Sequence, residues 1–371
     1  MRQASTCMQI VFRTDASFEI GIGHVMRCLT LAEGLAKMGA IVQFLCRAHD
    51  GNLIDLIERR GFVVHALPTT TDYNPPLGSK GEPAHASWLG CDWKTDAEQC
   101  YAVLPSSVDW IIVDHYALDH RWESAMRNKS HHIMCIDDLA DREHDCEVLL
   151  DQSLGRKASD YCNTVSSATR LLLGPEYALL RPEFAQWRDI SLARRQSPEL
   201  RHILVTMGGV DSENVTGRIL KTLKYCHHYN LERITVVLGT HAPWSDKVVA
   251  LAADMPVLTN VFLGVDNMAE LMTSCDLVIG AGGTTTWERC SLGVPSVLMV
   301  LANNQKNIAT HLSRTKAAFV IDDMERLESS LLRFLENSDL PSILCGYSRR
   351  SADISGVNGV KKTISELGYK L

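Results

Sequence analysis

A chain of 371 residues is too long for one ordinary domain, and its composition, 46% hydrophobic and 22% charged, supplies apolar side chains for two cores. A formal net charge of −7 with no basic stripe argues against a nucleic-acid groove and against adsorption to an anionic membrane. No apolar run reaches the ~20 residues of a membrane span, no signal-peptide layout opens the chain, and the 12 cysteines are scattered without a CxxC pair, so a cytoplasmic, reducing location is expected.

The first predicted strand is 9–13, QIVFR. A polar turn follows, then Gly21-Ile22-Gly23, then a helix over 24–38 with Val25, Leu29, Ala32 and Ala36 on one stripe. Two glycines allow the backbone to come close to a ligand. Position 26 is Met, so the dinucleotide fingerprint GxGxxG is absent. His24 stands at the helix head, where the dipole disfavours imidazolium and favours the neutral ring a general base requires. A bound diphosphate would push the other way, and the plainer reading of His24 is a helix-capping residue beside a glycine turn.

Strands are expected next at 41–46 and 63–67. The stretch 68–92, rich in Pro, Gly and Thr, is irregular and long enough for a functional loop. The strand 110–114 runs into VDHYALD, where His115 and Tyr116 could reach a ligand or serve as a loop anchor. The strand 132–136 ends in IDDLADREH, whose acids read as solvated loop residues because no His/Asp spacing supports a metal. A polar junction is placed near 188–199, with Ser197-Pro198 just before the next strand.

In the second half the predicted strands are 202–207, 234–238, 260–263, 276–280, 296–300 and 317–321. The first runs into Gly208 and Gly209, at a strand end suited to close backbone approach; Asp211 and Asn214 beyond them are helix caps or ligands. A helix is predicted over 212–226. The strand 276–280 runs into Gly280, Gly282 and Gly283, and Thr284–Thr286 open a helix over 284–292. Backbone donors and hydroxyls there form an anion cradle. Glu288, one turn in, can accept two hydrogen bonds from a ribose diol. Asn303, Asn304 and Gln305 offer amides to sugar hydroxyls, and 357–369 reads as a last helix. Continuous apolar strands alternating with helices predict two doubly wound, Rossmann-like parallel α/β domains facing one cleft, with ligands outside the strands' C-terminal ends. The domains are placed at 8–190 and 200–355, with 356–371 packing back on the first. No DxD, GxSxG, HExxH or P-loop occurs, and neither metal nor cofactor is expected.

RTDASFEIGIGHVMRCLTLA, WLGCDWKTDAEQ, WIIVDHYALD, CIDDLADREHDCEVLLDQ, GPEYALLRPEF, VTMGGVD, GAGGTTTWERCSLGVPS and NNQ together resemble the UDP-2,4-diacetamido-2,4,6-trideoxy-β-L-altropyranose hydrolases of pseudaminic acid biosynthesis. The second half also resembles the wider GT-B glycosyltransferases, particularly the N-acetylglucosaminyltransferase of peptidoglycan synthesis. The resemblance implies release of UDP by water attack at the anomeric carbon, with His24 as general base. It implies Tyr116 and Asn304 at the sugar and Gly282, Gly283 and Glu288 at the nucleotide. The reading of the residues adds Gly21, Gly23, Asp15 and Gln305 at the substrate and Gly208, Gly209, Thr284 and Thr285 at the nucleotide. The rivals are a glycosyltransferase using the same donor and a non-catalytic UDP-sugar-binding protein. MRQAST looks like a variable extension, and no oligomeric state can be read.

Overall fold

The computed structural model describes residues 7–69, 81–104, 107–196, 199–226, 230–240 and 242–369. The chain divides into two units: Met1–Leu179 with Asn358–Leu371, and Leu180–Val357.

In the first unit the strands are β1 (Gln9–Thr14), β2 (Ile41–Arg47), β3 (Val63–Leu67), β4 (Val108–Asp114), β5 (Ser130–Ile136), β6 (Val148–Asp151) and β7 (Arg170–Leu173). They pair in parallel in the order β3-β2-β1-β4-β5-β6-β7. Side chains alternate across the pleat. Ile10, Phe12, Phe44, Ile112 and Met134 enter one core, with Leu31 and Leu35 of the helix Gly23–Lys37. Val11, Leu45, Ile111, Val113 and Ile133 enter the other, with Trp122. Burial on both faces explains the near-continuous apolar runs.

The second unit has β8 (His202–Thr206), β9 (Arg233–Leu238), β10 (Leu258–Leu263), β11 (Leu277–Ala281), β12 (Ser296–Met299) and β13 (Phe319–Ile321). Their order is β10-β9-β8-β11-β12-β13, again all parallel. Ile203, Val205, Ile234, Val236, Leu277, Ile279 and Val297 build one core with Ile219, Leu220 and Leu223 of the helix Val215–Lys224.

Three expectations need correction. β6 and β7 are absent from the predicted strands; each has only four residues, and the leucines of β7 carry no β-branched signal. The helix Pro182–Arg194 belongs to the second unit, so the division falls at Leu179/Leu180 and not within 188–199. Arg188 fixes it there by donating to the carbonyls of Ser291, Ala352 and Ser355. The helix over 212–226 starts only at Val215, because Asp211 accepts from the N–H groups of Val215 (2.8 Å) and Thr216 (2.9 Å), and Asn214 accepts from Gly217 N (3.1 Å). Asp211 and Asn214 therefore act as caps.

The helix Gly359–Glu366 rejoins the first unit on the helix Gly23–Lys37. Gly34 permits that contact: a Cβ there would lie 2.8 Å from Val360 and 2.9 Å from Ile364. MRQAST and residues 70–80 of the irregular stretch lie outside the described residues. Among the described residues no helix is long and apolar enough to cross a membrane.

Candidate functional site

In each unit the strand order reverses once, between β1 and β4 and between β8 and β11. The loops leaving those strands diverge to opposite faces, and the gap at their C-terminal ends is where open α/β sheets hold ligands.

In the first unit a tight turn follows β1. Gly21 N donates to Ser17 O at 2.9 Å, and Ser17 Oγ accepts from Ile20 N at 2.9 Å. Gly21 has φ +79°, a conformation that favours glycine. The turn delivers His24 as the second residue of its helix, opposite Asp114, the last residue of β4. His24 Nδ1 lies 2.6 Å from Asp114 Oδ1. Arg27, one turn further, donates to Asp114 through Nε (2.6 Å, to Oδ2) and Nη2 (2.7 Å, to Oδ1). Its Nη1 reaches Asp138 Oδ2 at 2.5 Å, and the Tyr116 hydroxyl donates to the same oxygen at 2.9 Å.

Burial alone would raise the Asp114 carboxyl; Arg27 and His24 outweigh it and hold the group well below the usual carboxylate range. An ionised Asp114 accepts the Nδ1 proton of His24, which leaves the Nε2 lone pair free. His24 is 8% exposed, and its ring meets Tyr116 edge-on, with centroids 4.5 Å apart. A buried imidazole oriented by a carboxylate, with one free nitrogen, can take a proton.

His85 and Trp88 extend this cluster. Their ring centroids lie 5.6 and 5.9 Å from that of Tyr116. Burial pulls His85 below its ordinary value. Neither ring was singled out in the sequence; the signal available was their place in the long Pro/Gly-rich stretch.

Several expected site residues are engaged elsewhere. Asp15, assigned to the substrate, is fully buried. It accepts from Arg13 Nη1 (2.6 Å) and Arg47 N (2.7 Å) and lies 3.2 Å from His115 Nε2. His115 is thereby turned inward, and its Nδ1 accepts from Ala117 N at 3.1 Å. The two acids at the end of β5 are held in ion pairs, with Asp138 partly exposed. Asp137 is fully buried, accepting from Arg142 Nη1 (2.7 Å) and the Tyr161 hydroxyl (3.0 Å); Asp138 serves Arg27 and Tyr116. Glu123, Cys135 and His144 are buried close enough to share a metal ion. They hydrogen-bond to one another: Glu123 Oε1 lies 3.1 Å from Cys135 Sγ and 2.8 Å from His144 Nδ1, and Oε2 accepts from Asp145 N, while His144 Nε2 has no hydrogen-bond partner.

In the second unit Gly208 is exposed with φ +94°, and Gly283 has no atom near a hypothetical Cβ, so both leave room for a ligand against the backbone. Gly282 is buried and donates to Met299 O at 3.1 Å. Thr284 and Thr285 are partly exposed at the start of the helix Thr285–Ser291, whose Thr286 and Trp287 N–H groups donate to Gly283 O and Thr284 O at 2.9 and 3.1 Å. Glu288 Oε1 lies 3.5 Å from Arg181 Nη2, and burial raises its carboxyl despite that arginine. Gln305 is corrected in part: its Oε1 accepts from Leu301 N at 2.8 Å while its stem packs on Gly282. Asn304 is exposed on the short turn Asn303–Gln305.

Two parallel-sheet α/β units of this kind constitute the GT-B fold, and residues 202–354 match the glycosyltransferase family 28 C-terminal domain. MurG of Acinetobacter baumannii superposes with a TM-score of 0.65 at 16% identity, covering 97% of this chain and 99% of that one. Over 308 residues the chain is 25% identical to the UDP-2,4-diacetamido-2,4,6-trideoxy-β-L-altropyranose hydrolase of Campylobacter jejuni, covering 83% of this chain and 97% of the relative. It is 26% identical over 333 residues, 85% of this chain, to an uncharacterised protein of Methanocaldococcus jannaschii, and spans 62% of that relative's length.

Proposed function

We propose that the chain hydrolyses UDP-2,4-diacetamido-2,4,6-trideoxy-β-L-altropyranose to UDP and 2,4-diacetamido-2,4,6-trideoxy-L-altrose, in the cytoplasm, as a step of pseudaminic acid biosynthesis. The observation that carries this reading is the His24–Asp114 contact of 2.6 Å, which leaves Nε2 as a base. The similarity to the Campylobacter jejuni hydrolase supports this choice of substrate. His24 Nε2 takes a proton from water as its oxygen bonds to the anomeric carbon. The C1–O bond breaks, and its electron pair leaves on the β-phosphate. Backbone N–H groups of Gly283, Thr284 and Thr285 stabilise that charge without a metal, those of Gly282 and Thr286 already donating to Met299 O and Gly283 O. The acids beside His24, Asp114 and Asp138, are both ion-paired to Arg27. Both oxygens of Asp114 are taken by His24 and Arg27, and Asp138 is held through Oδ2 with Oδ1 buried, so the site offers one base and no acid–nucleophile pair, which favours one displacement with inversion.

The test is acceptor-free incubation with the UDP-sugar in oxygen-18 water, followed promptly by NMR. The expected product is the inverted sugar carrying the label, with activity retained in a chelator. Label in UDP would move the reaction to phosphorus, and a retained anomer would require a covalent intermediate. The family 28 match favours a second reading, a glycosyltransferase using the same donor; only a slow leak of UDP would then appear without acceptor.

Two substitutions examine the roles separately. Asp114→Asn is expected to lower turnover about 10²-fold with UDP affinity kept, because an amide facing Nδ1 no longer fixes the reactive tautomer. A wild-type rate would leave His24 without need of its carboxylate. Glu288→Ala is expected to weaken UDP binding tenfold or more, since hydrogen bonds to a carboxylate are worth about 1.5–3 kcal/mol each. Unchanged affinity by calorimetry would remove Glu288 from the nucleotide site.

A further inference from the structure

An arginine is charged at every physiological pH, so a buried one needs a carboxylate or a full set of acceptors. Arg289, in the helix that follows β11, has neither. It is 1% exposed. Its Nη2 donates to Ala281 O and to Thr286 Oγ1, each at 2.9 Å. Nε and Nη1 have no hydrogen-bond partner, and no carboxylate ion-pairs with the group among the described residues. The neighbouring Glu288 is turned to Arg181. Burial pulls the Arg289 guanidinium down only to about 10, so it remains a cation at neutral pH.

Its position is specific. Nη1 lies against the backbone of Gly280, where a Cβ would sit 2.2 Å away. The guanidinium thus fills the space beneath the glycine turn, touching both its start at Gly280–Ala281 and its end at Thr286. Arg195 offers the contrast. It is also buried without an ion-paired carboxylate, and its Nε too has no hydrogen-bond partner, but both its terminal nitrogens donate, to the carbonyls of Ser191, Met272, Thr273 and Cys275, as a strut closing a helix end.

We propose that Arg289 is the buried counter-charge of the diphosphate site, a positioning residue that acts through the Gly280–Thr286 turn. This rests on the reading that the turn receives UDP. Glu288 acts on Arg289 only as a nearby charge without an ion pair, and the paired negative charge is then the ligand's own, brought by a nucleoside diphosphate. In a poorly solvated setting such a charge is felt without direct contact.

The test compares UDP with uridine by calorimetry, in wild type, Arg289→Met and Arg289→Lys, with melting curves of the ligand-free proteins. Arg289→Met is expected to bind UDP roughly tenfold or more weakly, uridine within about twofold of wild type, and to melt no lower than wild type. Arg289→Lys restores most of the UDP affinity. Equal losses for UDP and uridine, or none, would make Arg289 a strut like Arg195 and overturn the proposal. If Arg289→Met does not fold, Arg289→Gln against Arg289→Lys gives the same comparison of a neutral with a charged side chain. Wild-type protein that fails to bind UDP would instead sink the reading of the turn itself.

Discussion

His24→Asn is expected to slow turnover by about 10²–10⁴-fold, the range for a lost general base, with UDP affinity close to wild type. Asparagine preserves a donor toward Asp114 but offers no basic nitrogen where Nε2 stood. The His24 ring is nearly enclosed, with Asp114 on one side and Tyr116 edge-on to it, so bulk water offers little replacement. Single-turnover rates separate the chemical step from UDP release, and calorimetry reports the affinity. A variant that hydrolyses at the wild-type rate would place the base elsewhere.

Asp96→Ala is expected to cost the first unit about 3–5 kcal/mol of stability, the penalty for stranding a buried charge. Asp96 is fully buried and accepts from Arg13 through Nε (3.1 Å) and Nη2 (2.7 Å), from Arg47 Nη2 (2.5 Å) and from Trp122 Nε1 (2.9 Å). Its removal leaves the buried Arg47 guanidinium with the Pro68 carbonyl and no carboxylate. Burial alone would raise the Asp96 carboxyl; Arg13 and Arg47 hold it lower than in an unfolded chain. A depressed folded value means the contribution is complete above pH ~4 and is lost as pH falls through the folded pKa. Urea unfolding at neutral pH should show the full loss, and the difference from wild type should shrink on acidification. A loss below ~1 kcal/mol would show that the network is dispensable.

The two sheets could be read from the sequence because buried parallel strands are continuous apolar runs, and the glycine-rich ends of β1 and β11 marked where ligands belong. What the sequence concealed were pairings between distant side chains. Asp114 ends an apolar strand, and nothing local shows that it meets a histidine 90 positions earlier. Asp15 lies in the same motif as His24, yet Arg13 and the Arg47 N–H draw its carboxylate inward. Asp137 looked solvated because it begins a polar loop, while its partners Arg142 and Tyr161 come from further along the chain. The helix Pro182–Arg194 carries Arg188, whose carbonyl acceptors lie over 100 residues away. Its polar character read as a junction, and nothing local showed either the helix or its unit.

The return of residues 358–369 to the first unit has a consequence for biosynthesis. On the ribosome, β1 to β7 emerge before the second unit, but the helix that covers Gly34 emerges after it. The nascent first unit therefore presents an apolar groove beside Gly34 throughout synthesis of 178 residues, Leu180–Val357. The second unit is contiguous and can close its core once its own last helices, which supply Leu331, Phe334 and Leu344, are made. The part that bears His24 begins first and is completed last, so chaperone protection during translation matters most for that half of the molecule.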